Sequence, residues 1–283
     1  MRPRFLLALL LVSCIGFTFG YVAFGDEADG ATTNRHVIVG STDAASLGGH
    51  VTPTPANHKY ADLGDGMDPV TDARYVNVEA AAPGQWAAIA RGEYDTAILR
   101  WARALDDTGQ LRLVSFNHEP STEVGRAGSA KDYRQAFRRF ASLMAGRAPG
   151  VRMVWAVTQV SIVNGDPTVF YPGRAAADYV SSNAFNRAGC RAKTEPWTSF
   201  GSKVQPLIGL ARELDEPVVI SEYGMDDHPD RARWLDGVTR YVKNHPRIEA
   251  LFYYNSPWNT TCDWPLHTLA DYAAMTRMIA ALR

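Results

Sequence analysis

The sequence predicts an α/β protein closed into a parallel (β/α)8 TIM barrel, reduced or irregular in its N-terminal strands. Three observations carry that prediction. Short runs rich in Val, Ile and aromatic residues alternate with amphipathic stretches, and the alternation continues for the roughly 250 residues such a barrel needs. No Gly-rich phosphate fingerprint follows an early run, so the dinucleotide-binding form of the same alternation has no support. Two of the runs end on a carboxylate, in Asn117-His118-Glu119-Pro120 and Ser221-Glu222-Tyr223-Gly224, where parallel barrels gather their reactive side chains.

The first 25 residues are set apart from this fold. Met1-Arg2-Pro3-Arg4 is a cationic start, and residues 5–24 are apolar enough to enter an export pathway. Ala23-Phe24-Gly25 offers a cleavage site, retention as a membrane anchor is the alternative, and Leu11-Val12-Ser13-Cys14 resembles a bacterial lipobox. Residues 26–35 are small and polar, a tether, and residues 36–283 form the barrel domain. The expected location is extracellular, or on the outer side of the cytoplasmic membrane.

Within the domain the candidate strands are residues 36–41, 75–78, 111–116, 151–157, 179–185, 217–221 and 250–254. That is one short of eight. The missing strand belongs before Tyr75, where residues 48–69 are rich in Gly and Pro, so a strand or helix is expected to be reduced there. Crossover helices are clearest at residues 132–145, which put Tyr133, Phe137, Phe140, Ala141 and Met144 on one face, and at 231–243, with Trp234, Leu235, Val238 and Tyr241.

Lys and Arg number 29 against 30 Asp and Glu, without a basic stripe, which argues against a nucleic-acid partner. A monomer is expected. With Cys14 in the export segment, Cys190 and Cys262 remain as an even pair in a chain bound for an oxidising compartment, and a disulfide between them is expected. Two free buried thiols are the alternative. A metal centre is not expected, because neither cysteine has a close Cys or His partner, and no cofactor is implied.

The strand ends are acidic, amide-bearing and aromatic. Glycoside cleavage needs that mixture: one carboxyl protonates the leaving oxygen, another captures the anomeric carbon, aromatic faces stack on sugar rings and amides bind hydroxyls. The candidates at these ends are Glu119 and Glu222 for catalysis, with His118, Trp155, Asn186, Tyr223 and Trp258 for a polysaccharide or oligosaccharide substrate, to which Trp197, between the runs at 179–185 and 217–221, is added.

The ordered set formed by residues 86–95, Asn117-His118-Glu119-Pro120, Tyr171-Pro172-Gly173, residues 196–200, Ser221-Glu222-Tyr223-Gly224 and Cys262-Asp263-Trp264 resembles glycoside hydrolase family 26, in an actinobacterial-type form. The resemblance implies a (β/α)8 barrel that cleaves β-mannan, or other β-linked glucans and xylans, with retention. It implies Glu119 after the fourth barrel strand as acid/base, Glu222 after the seventh as nucleophile, and His118 at the cleavage subsite. The chain departs from the family at Phe185, where related sequences carry a tyrosine that hydrogen-bonds the nucleophile. That departure and the short N-terminal half support an alternative, a barrel that has lost turnover and binds glycans as an accessory or cell-wall protein. Asp43 and Glu79, at the ends of the early strands, are further candidates for the cleft lining.

Overall fold

A computed structural model describes residues 35–64, 69–106, 109–190, 195–257 and 262–283. Eight strands run in sequence order around a closed, wholly parallel barrel: β1 (Ile38–Thr42), β2 (Ala56–Asp62), β3 (Tyr75–Glu79), β4 (Arg112–Phe116), β5 (Val151–Val157), β6 (Tyr179–Asn186), β7 (Val218–Met225) and β8 (Ile248–Tyr253), with β8 paired to β1. Helices α1 (Gln85–Arg91) and α2 (Asp95–Asp106) join β3 to β4. One helix fills each later connection: α3 (Ala130–Arg147), α4 (Gln159–Asn164), α5 (Phe200–Leu214) and α6 (Arg231–Lys243), and α7 (Leu269–Leu282) follows β8.

The expectation of a lost strand is corrected. β2 completes the barrel with full register on β3, from His58 opposite Tyr75 to Asp62 opposite Glu79. Its segment, Ala56-Asn57-His58-Lys59-Tyr60-Ala61-Asp62, contains no β-branched residue and buries only His58 fully, so it carries no hydrophobic run. The reduction falls on the helices instead. A single 3-10 turn at Ala44–Leu47 joins β1 to β2, and no helix joins β2 to β3 among the described residues.

Side chains alternate between two cores because strand residues point to opposite faces. Tyr75, Leu113, Val154, Val219, Ala250 and Phe252 fill the barrel interior. Their strand neighbours Val76, Val114, Met153, Trp155, Val218 and Leu251 face outward and meet the apolar stripes of the helices, Phe137, Phe140 and Met144 of α3 among them. Gly40 is required in β1, since a Cβ there would lie 2.2 Å from the Phe252 ring. Capping boxes start α3 (Ser129 with Asp132) and α7 (Thr268 with Asp271), each worth about 1 kcal/mol.

The Cys190–Cys262 disulfide forms as expected, with Cα atoms 4.8 Å apart, and ties the loop after β6 to the loop after β8. Among the described residues no helix is long and apolar enough to cross a membrane. The apolar segment 5–24 and Trp258 lie outside the described residues.

Candidate active site

The segment after β4 is held in an unusual backbone conformation. Asn117 (φ 43°) and Glu119 (φ 55°) both adopt the left-handed region, at a cost on the order of 1–3 kcal/mol each for residues other than glycine. Buried hydrogen bonds hold them there. The Asn117 amide N–H donates to Val78 O (2.8 Å), and its side-chain Oδ1 accepts from Ala80 N (3.0 Å) and Trp86 Nε1 (3.3 Å). The Glu119 N–H donates to Ala156 O at 2.9 Å. These bonds put the Glu119 carboxyl against Asn183 of β6, whose Nδ2 donates to Oε1 at 2.6 Å. Asn183 is oriented in turn by accepting from Gln159 N at 3.2 Å.

Glu222 lies within β7, where the pairing slips register against both neighbours, between Ser182 and Asn183 of β6 and between Ile220 and Tyr223 on the β8 side. Such irregularities re-aim side chains. The Tyr60 hydroxyl, from β2, donates to Glu222 Oε1. Its ring centroid lies 4.7 Å from that of His58 and 5.6 Å from that of His118. His118 Nδ1 pairs in turn with the Glu79 carboxylate at the end of β3.

The charges of these groups depend on one another. Burial, followed by the Glu222 charge, raises the Glu119 pKa above the ordinary carboxyl range, outweighing His118 and the Asn183 hydrogen bond, which lower it. Burial works against a cationic His118, but the hydrogen bond and charge of Glu79, helped by Glu222 and Glu119, lift its pKa to about 9, so it is an imidazolium at neutral pH. Burial and then that cation push His58 well below 6.5 and keep it neutral. Burial and Glu222 raise Tyr60 well above 10, so its hydroxyl remains a donor. The result is a Glu119 carboxyl that holds its proton more tightly than a free one, within the field of Glu222, which accepts from Tyr60. A cleft of about 530 Å³ opens beside Glu119 between the ends of β4, β5 and β6.

His118, Glu119 and Glu222 are brought together, and Glu79 joins them. Three other sequence candidates are corrected. Trp155 is fully buried on the outer face of β5, its ring 5.0 Å from Tyr171, and has no face to offer a ligand. Tyr223, one residue past Glu222, points the opposite way, into the helix layer against Phe200 and Trp234, with its hydroxyl on Met278 Sδ. Asn186 is fully buried and braces a loop, donating to Thr198 O and accepting from Ala188 N. Trp197 is half exposed on the loop before α5 and does not line the cleft beside Glu119. Asp43 is exposed next to the turn after β1.

Sequence reasoning missed Tyr60, Asn183 and Gln159. Asn183 was within reach, because β6 alternates and Asn183 and Phe185 share the partly open phase that Asn186 does not. Tyr60 gave no local signal. Among the described residues no three His, Cys, Asp or Glu side chains gather as a metal-ligand set.

No family model matches the chain. Endoglucanase H of Acetivibrio thermocellus is 22% identical over 201 residues, 67% of this chain, and the match spans 22% of that protein's length. Among solved structures, a GH26 β-mannanase from Bacteroides ovatus is 12% identical with a TM-score of 0.53, over 78% of each chain. A mannanase from Bacillus subtilis is 16% identical with a TM-score of 0.54, over 86% of this chain and 85% of that one. A GH128 endo-β-1,3-glucanase from Amycolatopsis mediterranei is 14% identical with a TM-score of 0.54, over 84% and 95%. At these identities the shared feature is the fold.

Proposed function

We propose that this protein is an exported glycoside hydrolase that cleaves a β-linked polysaccharide, internally and with retention of configuration, and that it belongs with glycoside hydrolase family 26. The observation that carries the reading is the pairing of Glu119 with Glu222. One carboxyl has its pKa raised by burial and by the other's charge, and the second is held by the Tyr60 hydroxyl.

In the proposed reaction Glu222 attacks the anomeric carbon while Glu119 protonates the departing glycosidic oxygen, leaving a glycosyl ester on Glu222. Retaining enzymes hold the two carboxyls about 5–5.5 Å apart for this purpose. Ester formation removes the Glu222 charge. Because that charge helps to raise the Glu119 pKa, Glu119 then becomes a stronger acid whose conjugate base takes a proton from water in the second step. His118, cationic and paired with Glu79 beside the two carboxyls, is assigned to sugar hydroxyls at the cleavage point.

A barrel that binds glycans without turnover was suggested in the sequence by the short N-terminal half, where β2 pairs in full with β3, and by the missing hydroxyl at Phe185. Tyr60 supplies a hydroxyl to Glu222 from another strand, which removes the second argument. β-1,4-Mannan is the first substrate to test, given the mannanases that share this barrel. The test is a panel of mannan, xylan, mixed-linkage and β-1,3-glucans, with product length and anomeric configuration followed by NMR. Inverted products, or turnover that survives Glu222→Ala, would end the proposal.

A further inference from the structure

The cleft beside Glu119 includes neither Glu222 nor His118 in its walls. In a two-carboxyl mechanism the space next to the acid receives the leaving sugar, so this inference rests on the function proposed above. Most of the lining is neutral, with hydroxyls and amides such as Thr158, Gln159 and Ser161 and the Phe185 ring. Among the described residues, the charged side chain in the wall besides Glu119 is Arg187.

Arg187 is built into a fixed frame. Its carbonyl accepts from Cys190 N (3.1 Å) and Glu195 N (3.3 Å), the buried Asn186 side chain clamps the residues on either side of the loop, and Cys190 is bonded to Cys262. The guanidinium carbon lies 5.6 Å from the Phe185 ring centroid, which restricts the side chain further. Its Nη1 is 3.5 Å from a Glu195 oxygen, while Lys203 Nζ takes the other oxygen at 3.0 Å. One carboxylate thus serves two cations, and this trio carries a net positive charge at the cleft wall. A guanidinium has five N–H donors in a planar fork matched to a carboxylate, more than one shared oxygen can use.

We propose that this cleft selects a leaving sugar that bears a carboxylate, a hexuronate or an acidic substituent, and that Arg187 is the residue that reads it. The substrate class is then an acidic polysaccharide, its ring stacked on Phe185 and its carboxylate on Arg187. The reading also gives the disulfide a task in the site, since it anchors the loop that carries the reader.

The test is binding, which needs no turnover. Methyl β-glucuronide and methyl β-glucoside are titrated into the full chain at low salt and followed by NMR. The glucuronide is expected to bind at least about tenfold more tightly, and the preference is expected to fall below about threefold in Arg187→Gln and in high salt, with Tm unchanged. Equal affinities, no binding of either sugar, or a preference that survives Arg187→Gln would overturn the inference. The two proposals fail separately. A protein that hydrolyses glycans without this preference loses only the acidic specificity, whereas one that binds glucuronide through Arg187 and cleaves no glycan loses the hydrolase reading.

Discussion

Replacing Tyr60 by Phe removes one oxygen and leaves the ring that packs on His58 and His118, so the fold is expected to persist, with Tm lowered by at most about 3–12 °C. The lost interaction is a hydrogen bond from a neutral hydroxyl to the Glu222 carboxylate, worth about 1.5–3 kcal/mol. Its effect depends on the step. In the first step the oxocarbenium-like transition state leaves most of the charge still on Glu222, so the bond persists there and its loss has little effect on the barrier. In the second step the charge returns to Glu222 as the ester breaks, and a hydroxyl already aimed at Oε1 stabilises it. At 1.36 kcal/mol per tenfold, breakdown of the ester slows by about 10- to 150-fold. Stopped-flow assay with an activated aryl glycoside of the substrate sugar is expected to give a burst of released phenol followed by slow turnover, with kcat and KM falling together. An unchanged kcat, or a slow variant with no burst and no accumulated ester, would refute this account of Tyr60.

Other substitutions test the neighbouring contacts. Glu119→Ala is expected to slow cleavage of polysaccharide by about 10²–10⁴-fold while sparing aryl glycosides whose leaving group needs no proton, measured as the ratio of the two rates. In Glu222→Gln the Glu119 carboxyl, relieved of a neighbouring charge, is expected to titrate at lower pH than in the parent, as read by carbon NMR. His118 keeps its proton to about pH 9 in the fold but only to about 6.5 unfolded, so its pairing with Glu79 stabilises fully below pH 6.5 and is lost as pH rises through 9. Urea unfolding across that window is expected to show the parent losing up to about 3 kcal/mol that Glu79→Gln does not lose. Replacing both Cys190 and Cys262 by Ser opens a loop 72 residues long and is expected to cost about 4 kcal/mol, seen as a fall in Tm of about 8–16 °C.

The places where sequence reasoning failed share a cause. Trp155, Tyr223 and Asn186 each stand one residue away from a position that faces the mouth, and in a strand one residue reverses the side chain's direction. Residue type marked the right strand ends but not the phase within them, and around Glu222 the phase is reset by a register slip that involves the neighbouring strands. β2 was missed for a related reason. It pairs with both neighbours by backbone hydrogen bonds, yet its side chains form no apolar run, so the pairing left no hydrophobic trace.

Local patterns were enough to place the alternation of strands and helices, the two carboxylates at strand ends and the cysteine pair, because periodicity and turn chemistry act over a few residues. Closure of the barrel settled the rest. Tyr60 and Glu222 are 162 residues apart, on strands separated in the wall by β8 and β1, and they meet only across the interior of the mouth. A hydroxyl absent from Phe185 can therefore arrive from β2, since a barrel directs all eight strand ends at one basin and a contact there requires the right height and phase on any strand.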